Sequence, residues 1–104
     1  MDVIWGRNAK LTSLDELDFI SKKWNNKEVE NFINLVSDFT KSLESGVIQG
    51  KRSFKTDIRS FVISKQTTLF FDLNETGNRI EILLFWNNKK NPQKLKALLK
   101  IGVK

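Results

Sequence analysis

The sequence predicts an α+β fold in the order β-α-α-β-β-β-α, a helical hairpin packed on a mainly antiparallel four-stranded sheet. Three observations predict it. Two apolar stripes of helical spacing, divided by a short polar break, fill the first half of the chain. Three β-rich runs separated by polar segments of hairpin length follow. An Asn-Pro step then opens a short stretch bearing leucines on one face. A length of 104 residues with one proline and five glycines fits one ordinary domain spanning the whole chain, with a single core.

Val3, Ile4 and Trp5 are β-favouring and stop at Gly6, so they read as a strand that edges or enters the sheet. Leu11, Leu14, Leu17, Ile20 and Trp24 recur every three or four residues and predict the first helix between Asn8 and Trp24. Asn8 or Ser13 caps it. Ser13 with Glu16 has capping-box spacing, which leaves the start open between the two. Asn25-Asn26-Lys27 breaks the pattern, and Val29, Phe32, Ile33, Val36, Phe39 and Leu43 form the second helix, ended by Gly46 in a left-handed cap. After a polar, basic connection, runs 57–63, 67–73 and 79–86 predict an antiparallel meander. Strict alternation places Ile80, Ile82, Leu84 and Trp86 on one side of the last strand, and Leu83 and Phe85 on a side needing partial cover. Asn91 is the N-cap and Pro92 the first residue of a terminal helix that carries Leu95, Leu98 and Leu99.

The chain is basic, with 18 Lys and Arg against 12 Asp and Glu and a formal net charge of +6. Residues 1–50 carry six cations and eight anions, whereas residues 51–104 carry twelve cations and four anions. The excess thus belongs to the second half, and its sign fits nucleic acid, an acidic protein or an anionic surface. Cys, His and Tyr are absent, which excludes disulfides, thiolate zinc sites, an imidazole base and a phenolic acid. Asp57, Asp72, Glu75 and Glu81 form no close acidic group in sequence, so neither a metal nor a cofactor is expected. No apolar run reaches the roughly 20 residues that span a bilayer, so no membrane partner is expected and the location expected is the cytoplasm.

Val3-Ile4-Trp5 followed by two antiparallel helices, then Arg59 to Phe71, then Ile80 to Pro92 with its basic turn, resembles the RelE/ParE superfamily of bacterial type II toxins. The resemblance covers nearly the whole chain and is strongest in the last third, which looks like the plasmid-stabilisation branch. It implies a growth inhibitor neutralised by a cognate antitoxin, present as a homodimer or a toxin–antitoxin hetero-oligomer. It also implies one of two targets: DNA gyrase, poisoned as ParE-like members do, or messenger RNA on the ribosome, cut by RelE-like members with a Lys/Arg cluster and a C-terminal Tyr or His. By alignment Thr68 stands where RelE-like nucleases carry an arginine, and the Tyr or His has no counterpart. The ParE-like reading is therefore slightly favoured. Its alternatives are a metal-free endoribonuclease and a non-toxic nucleic-acid-binding module of the same fold.

RNA cleavage needs a base for the 2′-OH, a cation for the phosphorane and an acid for the leaving oxygen. The candidate catalytic residues are Lys51, Arg52, Lys55, Arg59, Lys65, Lys89 and Lys90. Arg59, Lys65, Trp86, Lys89, Lys90 and Lys94 are the candidates for binding nucleic acid or another target. Trp86 reads either as an aromatic that stacks a base beside cations or as a core residue. Arg59 reads either as a phosphate ligand or as a cross-strand partner of Asp72 or Glu81. Trp5 and Trp24 lie on apolar stripes and read as packing residues.

Overall fold

The first strand passes into the first helix through Gly6, whose N–H donates to the Ile82 carbonyl at 2.9 Å. The structure is a computed structural model that describes residues 1–48, 50–52, 58–74 and 76–103, with the backbone alone for Arg52 and residues 100–103. Strand β1 (Asp2–Trp5) is followed by α1 (Arg7–Lys23) and α2 (Asn26–Glu44). Then come β2 (Lys51–Arg52), β3 (Ile58–Val62), β4 (Thr67–Asn74), β5 (Arg79–Asn87) and α3 (Pro92–Val103). The order in the sheet is β1-β5-β4-β3-β2, with β1 parallel to β5 and the remaining pairs antiparallel. The predicted α+β order is present. The two-residue β2 adds a fifth strand to the four expected.

Helix ends follow local chemistry. Asn25 Oδ1 accepts the Glu28 N–H at 3.0 Å and caps α2, so only Trp24 and Asn25 separate the helices. At the other end of α2, Val47 N–H donates to the Ser42 carbonyl and Gly46 N–H to that of Leu43, with Gly46 at φ 90°, which completes a Schellman motif. Asn91 Oδ1 accepts the Gln93 N–H at 3.0 Å and starts α3 at Pro92. The expected caps of α1 are not used. Gly6 is its N-cap, the Ser13 hydroxyl donates to the Lys10 carbonyl, and Glu16 is buried elsewhere.

The buried face of α1 also differs from the predicted stripe. Leu11 and Leu14 are exposed, Leu14 at 62%, while Ala9, Glu16 and Ile20 are buried. Small and hydroxylated residues allow α1 to lie close to β5. The Phe85 N–H donates to Thr12 Oγ1 at 2.9 Å, an approach that a leucine at position 12 would block. In α2 the stripe is met by Phe32, Phe39 and Leu43, with Ile33 left exposed.

The strict alternation predicted for β5 is corrected by a bulge. Phe71 pairs with Ile82 and Phe70 with Leu84, which leaves Leu83 as an extra residue. Ile80 and Ile82 therefore share the helical-hairpin face with Phe85, and Leu84 and Trp86 turn to the other face. One core joins Leu69, Phe71, Leu73, Ile80, Ile82 and Phe85 to the hairpin. In it Phe39 stacks on Phe61 at 4.4 Å, and Phe32 meets Phe85 edge-on at 6.1 Å. A second core on the opposite face gathers Ile58, Phe70, Leu84, Trp86 and Leu99, with Leu95 and Leu98 against it. The cover expected for the far face is α3.

Candidate functional site

The direction of α1 decides where the cations meet. It runs beside β5 in the same sense: Thr12 reaches Phe85, Glu16 reaches Thr67, and Lys23 arrives at Lys89. One end of the molecule therefore collects the C-terminus of α1, the β3–β4 turn and the turn after β5. Asn88 ties the two turns. Its N–H donates to the Gln66 carbonyl at 2.7 Å, and its Oδ1 accepts the Thr68 hydroxyl at 2.8 Å. Its Nδ2 reaches the Lys65 carbonyl at 3.5 Å. Asn87 Oδ1 accepts the Lys89 N–H at 3.0 Å and shapes the basic turn. Lys65, Lys89 and Lys90 are thereby brought to one end, all exposed.

Lys22 and Lys23 join them from the first half of the chain. A cleft of about 430 Å³ is lined by Glu16, Phe19, Lys22, Lys23, Asn87 and Lys90, with Asp15 and Asp18 on its α1 side. Asp18 is occupied by Lys22 at 3.0 Å. Glu16, 2% exposed, accepts a short hydrogen bond from the Thr67 hydroxyl. Lys23 Nζ lies 5.2 Å from the Trp24 ring centroid and 5.5 Å from that of Phe19. The Lys89 amine beside it, first through a side-chain hydrogen bond and then through charge repulsion, with desolvation third, holds the Lys23 amine below the usual lysine range.

The other candidates lie elsewhere. Lys51 and Arg52 form β2 at the sheet edge and pair with Ser60 and Arg59 of β3. Lys55 lies outside the described residues, as do Asp57 and Glu75. Arg59 pairs with Phe71 and shares the hairpin face, whereas Asp72, which pairs with Ile58, and Glu81 point to the α3 face. Neither carboxylate is its cross-strand partner. Trp86, 6% exposed, packs in the second core, which leaves its ring no open face. Lys94 is exposed on the first turn of α3.

Trp24, read from its stripe as a packing residue, is 47% exposed at the cationic end. Sequence reasoning missed it together with Lys22, Lys23, Glu16 and Asn88. A signal existed: an aromatic beside two lysines occurs at Lys22-Lys23-Trp24 as well as around Trp86, and the exposed copy is the first. Between α1 and α2 a separate groove of about 400 Å³ is lined by Trp5, Leu17, Phe32, Ile33 and Val36, with Lys41 and Glu44 at its rim. Among the described residues no acidic group is arranged to hold a metal, and no helix is long and apolar enough to cross a membrane.

No protein-family model and no curated protein sequence matches the chain. Solved structures do. A chain of the chromosomal ParDE TA system from P. aeruginosa superposes with a TM-score of 0.68 at 17% identity, over 84% of this chain and 95% of that one. A YoeB/ParE toxin from Agrobacterium tumefaciens gives 0.55 at 12% identity, over 84% and 98%. The isolated E. coli RelE toxin gives 0.53 at 16% identity, over 96% and 97%. These superpositions, each over more than four fifths of the chain, give it the fold of the RelE/ParE toxins.

Proposed function

We propose that this protein is the toxin of a bacterial type II toxin–antitoxin pair, a growth inhibitor neutralised by a cognate antitoxin, and that it poisons DNA gyrase. The observation that carries this reading is the shared fold, which covers 84% of the chain in the ParDE superposition. The higher TM-score of that superposition, 0.68 against 0.53 for RelE, supports gyrase over messenger RNA. So does the lack of His and Tyr in a chain whose lysine-rich end would otherwise need a proton donor. Lys65, Lys89 and Lys90 form the target surface, and the apolar groove between α1 and α2, with exposed Ile33 beside it, serves the antitoxin.

One observation favours a second reading, ribosome-dependent RNA cleavage: the Lys23 amine on the lysine-lined cleft is held below the usual lysine range beside Lys89, as a lysine acting as proton acceptor requires. Induction of the intact protein in a bacterial host without antitoxin tests both. Growth arrest with inhibited gyrase supercoiling is expected, and primer extension should show no codon-phased cuts. Codon-phased cuts would move the assignment to the second reading, and unaffected growth would overturn the toxin reading altogether. Replacing Lys89 and Lys90 together by Gln should weaken the arrest, while changing stability by less than about 0.5 kcal/mol.

A further inference from the structure

Beside the lysine-lined cleft lies a second one, between the α1–α2 junction and the β3–β4 turn. It has a volume of about 460 Å³ and is lined by Trp24, Phe32, Leu35, Ser64, Lys65 and Gln66 among others. Its make-up is mixed in a specific way. Trp24 and the two apolar side chains offer a wall for a flat ring, and Gln66 offers an amide beside it. Ser64 Oγ is buried without a hydrogen-bond partner among the described residues, so the protein itself leaves a polar atom unsatisfied there. The Glu28 carboxylate on the same wall is already engaged by the Asn31 amide at 3.4 Å.

Trp24 also borders the cationic end. Lys23 lies 5.2 Å from its ring centroid, and Lys89 adjoins Lys23. Lys23 and Lys89, neither of them paired with a carboxylate among the described residues, repel each other when both are charged, and an anion placed between them turns that repulsion into attraction. An aromatic surface with an unpaired hydroxyl on one side and paired cations on the other matches the two halves of a nucleotide. An acidic peptide would use the cations and leave the aromatic wall and Ser64 without a role.

We propose that this cleft is a nucleotide-binding site, with a base stacked on Trp24 and reaching Ser64, and a phosphate held by Lys23 and Lys89 with Lys65 nearby. It goes beyond the reading above, with which it shares the cationic end. Free nucleotides and nucleotides within an unpaired strand share this chemistry.

The test is calorimetric titration of the full chain at low salt with ATP, GTP, a thymidine decanucleotide, tripolyphosphate and a poly-glutamate peptide. At least one nucleotide probe should bind more tightly than tripolyphosphate. Trp24→Ala should weaken that binding about ten-fold and Trp24→Phe should largely restore it. Lys23→Gln with Lys89→Gln should weaken it by a similar factor and flatten its salt dependence. Mononucleotide binding would identify a free nucleotide as the ligand, and binding of the decanucleotide alone would identify a strand. Unchanged affinity in a folded Trp24→Ala protein, or equal binding of tripolyphosphate or poly-glutamate, would overturn the site. Growth assays keep the two readings apart. Binding without growth arrest removes the toxin and leaves the nucleotide site, and arrest without binding does the reverse.

Discussion

The Glu16 carboxylate is buried against the sheet and is satisfied by the Thr67 hydroxyl. Removing the donor strands an acceptor away from water, so Thr67→Val should cost about 1–3 kcal/mol in urea unfolding, more than surface substitutions cost. An unchanged midpoint would show that water replaces the hydroxyl. Lys23 makes a second residue-scale prediction. Its amine is held low by Lys89, so Lys89→Gln should return the Lys23 titration towards the ordinary lysine range in NMR. The sign for stability follows from linkage. Between the lowered folded pKa and the higher unfolded one the unfolded chain binds more protons. Stability therefore rises with pH across that window, and the rise should vanish in Lys89→Gln. Trp24 shows why these roles were hidden. Its place on an apolar stripe marked it for the core, yet it lies just past the last turn of α1, edge-on to Phe19, with nearly half its surface open.

At the scale of elements, the bulge at Leu83 governs which large side chains enter which core. Deleting Leu83 restores regular alternation and keeps Phe85 and Leu84 on their present faces. That variant should fold, with a native-like NMR spectrum. Inserting an alanine between Leu84 and Phe85 leaves Leu84 in place but moves Phe85 and Trp86 to each other's faces, and should abolish the folded spectrum. Leu84→Ala, which opens a cavity in the second core, should cost about 2–5 kcal/mol in denaturant unfolding. The second helix was legible because packing alone sets its buried side, and Phe32, Phe39 and Leu43 lie where the stripe put them. The first helix was not. Its orientation is set by close approach and by hydrogen bonds that Thr12 and Glu16 accept, which an apolar count does not weigh. The bulge was equally hidden, because Leu83-Leu84-Phe85-Trp86 is apolar throughout and offers no polar residue to mark the change of face.

Across the whole molecule, charge along the chain and charge in space are different quantities. The first half is net acidic, yet its Lys22 and Lys23 complete the cationic end by riding α1 up to the turn after β5. Composition gave the sign of the surface, and only the topology assembles it. The two cores differ in kind as well. The helical hairpin is bound to the sheet through Phe32 on Phe85 and Phe39 on Phe61 and Phe71, whereas α3 is held through Leu95, Leu98 and Leu99. Amide exchange should therefore be faster in α3 than in β4 and β5, and equal protection would show that α3 belongs to the same cooperative unit.

The parallel pairing of β1 with β5 joins the first strand in sequence to the last. Such a contact closes the longest loop available, so β1 should dock in the slow phase of refolding, after the meander has formed. Until then the Ile80–Ile82 edge of β5 stands open as a template for a strand from another molecule. The yield of refolded monomer should thus fall with protein concentration, through misassembly at an edge that the native state covers with its own first residues.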